Sequence, residues 1–351
     1  MRGLTASALS KLLWVLLPIV VLAALSVGTI DIPVSAIIQR TMNLVLGQAG
    51  APIKDDYLSA VIFDIRLPRI ILAFLVGAIL AISGAVMQGL FRNPLAAPSL
   101  IGVSSGASVG ASVVIVFAGS MLQSHSIIGL SLVACGAFIG SFLVTLFVYR
   151  LSTSTLGTSV TTMLLTGLAV SALAGALNSL LSYFADNEML RQISIWQMGN
   201  LSTANWSRVI IIGAVGLVVL VLFPRDSKAL NALLLGESEA RHLGIDVQKV
   251  KRRLIILTTL GVGVSVAIAG MIGFVGLVVP HIVRLLIGPD HRSLLPVSAL
   301  AGGILLVIAD TVARVIISPT ELPTGILTAL LGAPLFILLL THQRKASTIW
   351  P

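Results

Sequence analysis

The chain has 351 residues, 57 % of them hydrophobic and only 10 % charged, with a net charge of +9. A mean hydropathy of +1.07 and recurrent uncharged apolar runs of about 18 residues or more exclude a soluble globular domain and imply a polytopic membrane protein. The basic excess sits at the ends of the apolar runs, so membrane orientation explains it better than nucleic acid.

Reading the apolar runs in chain order gives ten spans: 12–30, 69–90, 98–118, 127–149, 159–183, 193–223, 252–271, 273–287, 294–317 and 324–341. The first follows Arg2 and Lys11 and exceeds the ~7–15-residue core of a signal peptide, so it reads as a retained helix. The third opens in a Pro/Ser/Gly-rich stretch, the sixth carries polar residues as far as Arg208, and the eighth is short. The fourth contains Cys135, the single cysteine, which leaves no intrachain disulfide and no cysteine-built metal site. With ten spans both termini share a side. That side holds fifteen Lys and Arg against seven on the other, which makes it cytoplasmic. Val76-Gly77 and Ala81-Ile82-Ser83-Gly84 of span two match Val262-Gly263 and Ala267-Ile268-Ala269-Gly270 of span seven, 186 residues on. The expected fold is all-α, with a possible inverted repeat of spans 2–5 and 7–10. Residues 1–351 then form one transmembrane domain.

Ionisable residues are nearly absent from the span centres, so a proton or sodium relay lacks its usual groups. Asp310 and Arg314, four residues apart near the outer end of span nine, are placed to pair. His281 and Arg284 lie toward the inner end of span eight. The chain has no Gly-Lys dipeptide and therefore no phosphate-binding Gly-x-x-x-x-Gly-Lys loop. Its histidines, His125, His242, His281, His291 and His342, show no metal-like spacing. A transporter, a channel, a membrane enzyme and a scaffold all remain open on these residues; any energy from nucleotide hydrolysis would come from another protein, and the enzyme is the weak reading.

Charge instead gathers between spans six and seven. Residues 225–253 hold eleven charged side chains, among them Glu237, Glu239, Arg241, Lys251 and Arg253. Leu230, Leu233 and Leu234 form an apolar stripe that Gly236 ends. Ser238 is placed to cap a second short helix that Gly244 closes. The segment reads either as a docking surface or as an ordinary positive-inside loop.

Three stretches carry a resemblance: "RLPRIILAFLVGAILAISGAVMQGLFRNPLAAPSLIGVSSGAS" (66–108), "GFVGLVVPHIVRLLIGPDHRSLLPVSALAGG" (273–303) and "ELPTGILTALLGAP" (321–334). They resemble the permease family of iron-chelate, heme and cobalamin importers, the type II importers of the ATP-binding cassette class. The resemblance implies ten helices per subunit, a second copy of the chain, two cytoplasmic ATPase subunits and an external binding protein. ATP and magnesium would be used by the ATPase, and no cofactor by this chain. It further implies that Leu230, Leu233, Leu234, Gly236, Glu237, Glu239, Arg241 and Gly244 belong to coupling helices, and that Arg66, Arg69 and Arg314 dock the binding protein. Asn93, Leu95, Thr161 and Thr162 would form the cytoplasmic gate. Gly102, Gly106 and Gly110 suit tight helix packing or a pathway lined by backbone. Residues 182–206 are similar to the heme branch, which puts heme first as cargo, ferric siderophore second and cobalamin third. An ion-coupled carrier is the rival from another class, and a membrane anchor for cytoplasmic proteins the structural one.

Overall fold

The computed structural model describes residues 5–46, 56–118, 127–155 and 157–347; Arg2 and His125 lie outside them. The described chain is helical, with one two-residue antiparallel hairpin, β1 (Thr153–Ser154) and β2 (Gly157–Thr158). The helices are α1 (Ala6–Ser26), α2 (Val34–Val45), α3 (Asp56–Ala60), α4 (Leu67–Leu90), α5 (Val103–Phe117), α6 (Ile127–Leu151), α7 (Val160–Phe184) and α8 (Asn187–Met198). They continue as α9 (Trp206–Arg225), α10 (Ser227–Leu235), α11 (Glu237–His242), α12 (Val247–Ala269), α13 (Val275–Ile287), α14 (His291–Val315) and α15 (Thr324–Ser347). A π-helical stretch, Val61–Arg66, joins α3 to α4, and a 3₁₀ turn, Pro98–Ile101, precedes α5.

Seven described helices are long and apolar enough to cross a membrane. Val103–Phe117, Val275–Ile287 and Thr324–Leu339 are shorter apolar helices at expected spans three, eight and ten. Span six differs from expectation. The run 193–223 is two helices, because Asn200 and Asn205 use their side chains on the backbone N–H groups of Ser202 and Arg208 and break the run between them. Span one begins earlier, at Ala6, and ends at Ser26. Helix α2 was not foreseen.

α4 is the central helix, with 83 % of its most apolar window buried. Small residues let its neighbours reach it. A side chain at Gly77 would collide with the Gly302 carbonyl of α14, and one at Gly84 with the Gly276 carbonyl of α13. Gly106 and Gly110 of α5 meet Gly140 and Gly136 of α6 in the same way, so these glycines serve packing. α4 packs on α14 and α12 on α6, spans two on nine and seven on four, which is the exchange an inverted repeat requires. The two matched stretches differ in structure: Gly84 lies inside its helix, whereas Gly270 adopts φ 70° and ends α12.

Candidate functional site

The charged segment folds as two short helices strapped to the bundle. α11 starts at Glu237, with Gly236 at φ 131° ahead of it, so Ser238 lies inside the helix and does not cap it. The expected cap is corrected: only glycine readily holds that backbone, and it sets the helix start. At the far end, the Gly244 N–H donates to Arg241 O (2.9 Å) and the Ile245 N–H to Ala240 O (3.1 Å). These two bonds close the helix as a Schellman motif.

The apolar stripe also faces the other way from expectation. Leu230 and Leu233 are 0 % and 1 % exposed, and Leu230 approaches Gly89 at the end of α4. They anchor the segment and are not free for a partner. The outward apolar side chains are Leu235 and Leu243, 71 % and 64 % exposed, beside exposed Glu239 and Arg241.

Polar straps complete the attachment. Asn231 Oδ1 accepts the His291 N–H (2.9 Å), and its Nδ2 donates to Asp290 Oδ1 (2.6 Å). The Arg292 backbone N–H, and after it Asn231, holds the Asp290 carboxyl below the ordinary carboxylate range. Arg253 donates to Asp226 through Nε (2.8 Å) and Nη2. Lys251, 2 % exposed, donates to Glu237 Oε1 (2.7 Å) and to the Thr158 carbonyl (2.8 Å). Gln248 Oε1 accepts the Thr158 N–H (3.0 Å). Lys251 escaped the sequence reading, although a signal existed: Val247, Val250, Lys251 and Leu254 share one helical stripe, and all four are buried.

Thr158 ends the hairpin that leads into α7. Ser159 caps that helix, accepting from the Thr162 N–H (3.3 Å), and Thr161 and Thr162 stand exposed on its first turn. Beyond α4, Asn93 Oδ1 accepts the Leu95 N–H (2.9 Å) in a tight turn that leaves Leu95 38 % exposed. The following 3₁₀ turn lies against α7, where a side chain at Gly167 would strike the Leu100 carbonyl. Both expected gate segments therefore border the same helix.

α7 presents an open face. Beside it runs a groove of about 670 Å³ lined by Ser105, Ser108, Ser171, Asn178, Ser182 and Gln197. Asn178 links α7 to α5, accepting from Ser112 (2.7 Å) and donating to Ser108 (3.0 Å). The polar groups of the lining are hydroxyls and amides, set among apolar surface that includes Ala174 and Met271, and none is charged. Two Gly-x-Ser-x-Gly runs, 102–106 and 106–110, lie here. A nucleophile elbow needs a strand-to-helix turn, and these run into and along a helix.

At the opposite end, Arg66, Arg69 and Arg314 are 4–5 % exposed. Arg66 donates to the carbonyls of Leu25, Ser26 and Ile30, closing the end of α1. Arg69 grips both oxygens of Asp310 (Nε to Oδ2 2.9 Å, Nη2 to Oδ1 3.0 Å) and reaches Glu321 (2.8 Å). Arg314 lies 3.4 Å from Asp310 Oδ2 and donates to Ala24 O (3.2 Å). The expected docking arginines thus face inward. An unpartnered guanidinium is costly away from water, and the bundle supplies a carboxylate or carbonyl to each.

Comparison with known proteins decides what this frame belongs to. Residues 16–342 match the FecCD transport family. This chain is a FecCD permease. It is 44 % identical over 296 residues to the hemin transport system permease protein HmuU of Yersinia pestis, covering 83 % of this chain and 86 % of that one. It is 47 % identical over 299 residues to the cobalamin import system permease protein BtuC of Halobacterium salinarum (84 % and 76 % covered). A solved structure assigned to the metal-chelate type of ABC transporter, in an inward-facing conformation, superimposes with a TM-score of 0.80 at 36 % identity. It covers 94 % of this chain and 97 % of that one. A FecCD permease is a multi-pass membrane subunit of an ABC importer and works with an ATPase and a binding protein. It transports and does not catalyse.

Proposed function

We propose that this FecCD permease, as a pair of copies in the cytoplasmic membrane with both termini inside, moves heme from an external binding protein into the cytoplasm. The observation that carries the reading is the uncharged groove along α7. Its hydroxyls and amides offer a flat amphiphilic cargo many weak contacts and no strong one, so cargo can leave as readily as it enters. The groove is open on one side, and the matching face of a second copy would close it. The likeness to the hemin permease favours heme.

ATP hydrolysed by the partner would act on Leu235, Glu239, Arg241 and Leu243. From there Lys251 reaches Thr158 and the gate at Thr161 and Thr162, while Leu230 reaches the end of α4 and the gate at Asn93 and Leu95. A cobalamin cargo is the second reading, favoured by the 47 % identity to the archaeal permease and by the amides of the groove.

The test is uptake by proteoliposomes holding permease, ATPase and binding protein, loaded with hemin or cobalamin. ATP-dependent hemin uptake with a Soret band on the loaded binding protein supports heme. Uptake of cobalamin alone overturns it, and uptake without ATPase that collapses with the ion gradient overturns the ABC mechanism.

A further inference from the structure

The end of the bundle that carries Arg225–Arg253 has a second cavity, away from the α7 groove. α6 and α12 touch where Gly263 lies against Ser141 and Phe138. Toward the basic end a cleft of about 470 Å³ remains between them. Phe142, Leu146 and Tyr149 form one wall, Ile255 and Ile256 the other, and Arg150 and Arg252 stand exposed at the mouth. Among the described residues neither arginine has an acidic partner. Thr145, 2 % exposed, lies on the wall with its hydroxyl unbonded.

The depth of the cleft fits one leaflet. Phe142 to Arg150 and Arg252 to Thr259 span roughly 12 and 10 Å at ~1.5 Å per helical residue. Half of a ~30 Å hydrocarbon core is about 15 Å. Two cations at headgroup level above an apolar slot of that depth match a phosphodiester above an acyl chain. A water-soluble partner could meet the arginines but would not enter an apolar slot at membrane depth.

We propose that this cleft binds one anionic phospholipid of the adjoining leaflet, its phosphate on Arg150 and Arg252 and one acyl chain between α6 and α12. Arg252 follows Lys251 in sequence, so the bound lipid steadies the turn of α12 that holds Glu237 and Thr158. The site is independent of the cargo.

The assembled transporter, in mixed vesicles of phosphatidylglycerol and phosphatidylcholine, is extracted gently and its retained lipid counted by native mass spectrometry. One phosphatidylglycerol per permease chain is expected. Arg150→Gln with Arg252→Gln should weaken its retention roughly 30-fold, the scale of two basic contacts. Leu146→Trp, which fills the slot and leaves both charges, should also expel it. Three results would overturn the site: retention unchanged in both variants, equal retention of the two lipids, or a photo-crosslink from position 146 to a second copy instead of lipid.

Discussion

Lys251 Nζ lies 2.7 Å from Glu237 Oε1 and 2.8 Å from the Thr158 carbonyl, so one buried side chain joins α11 to the entrance of α7. Replacing it with methionine keeps the volume and removes both bonds. Glu237 is about a third exposed and stays partly solvated, which limits the loss to about 1–3 kcal/mol. The expected phenotype of Lys251→Met is ATP hydrolysis that continues while uptake falls, with partial recovery in Lys251→Arg. Uptake and phosphate release measured in the same proteoliposomes give the ratio. An unchanged ratio would remove Lys251 from the path of force.

Arg69 holds the opposite end together through Asp310 and Glu321. Arg69→Ala leaves the Asp310 carboxylate, 2 % exposed, with the Thr324 hydroxyl that donates to its Oδ1 (3.0 Å) and Arg314 at 3.4 Å. Removing one partner of a buried pair costs about 3–5 kcal/mol. The thermal unfolding midpoint of the purified permease should therefore fall. A variant with an unchanged midpoint that no longer bound the binding protein would restore the docking role to Arg69.

The leucines of the charged segment should divide by burial. Leu235→Asp and Leu243→Asp alter exposed surface, so the ATPase should no longer co-purify while the unfolding midpoint holds. Leu230→Ala opens a cavity in the packed end of α4 and should cost about 2–5 kcal/mol. ATPase retention by the double aspartate variant would place the contact elsewhere.

Gly84 fixes how closely α4 and α13 approach. Gly84→Val drives a branched side chain into the Gly276 backbone and should cost about 1–3 kcal/mol or more, since backbone cannot rotate away. Yield and thermal midpoint report it. A normal midpoint would show that the two helices can separate at no cost.

Much of this was legible in the chain. Long uncharged runs fix where helices cross lipid, because hydrocarbon leaves backbone groups no other partner. The Arg225–Arg253 cluster marked the two short helices that break the run of long apolar ones, and the Gly102, Gly106 and Gly110 spacing marked a close helix contact. Which way each side chain faces was another matter. Leu230 and Leu235 are equally apolar, and periodicity within nine residues of α10 did not say which one the end of α4 would cover. Arg69 and Asp310 are 241 residues apart, so no local pattern revealed that the arginine would be consumed inside the bundle. Composition and periodicity act over a few turns of helix and determine the elements and their immersion in lipid. Partners of buried charges are chosen by elements meeting across the whole chain, and that choice belonged to the tertiary structure.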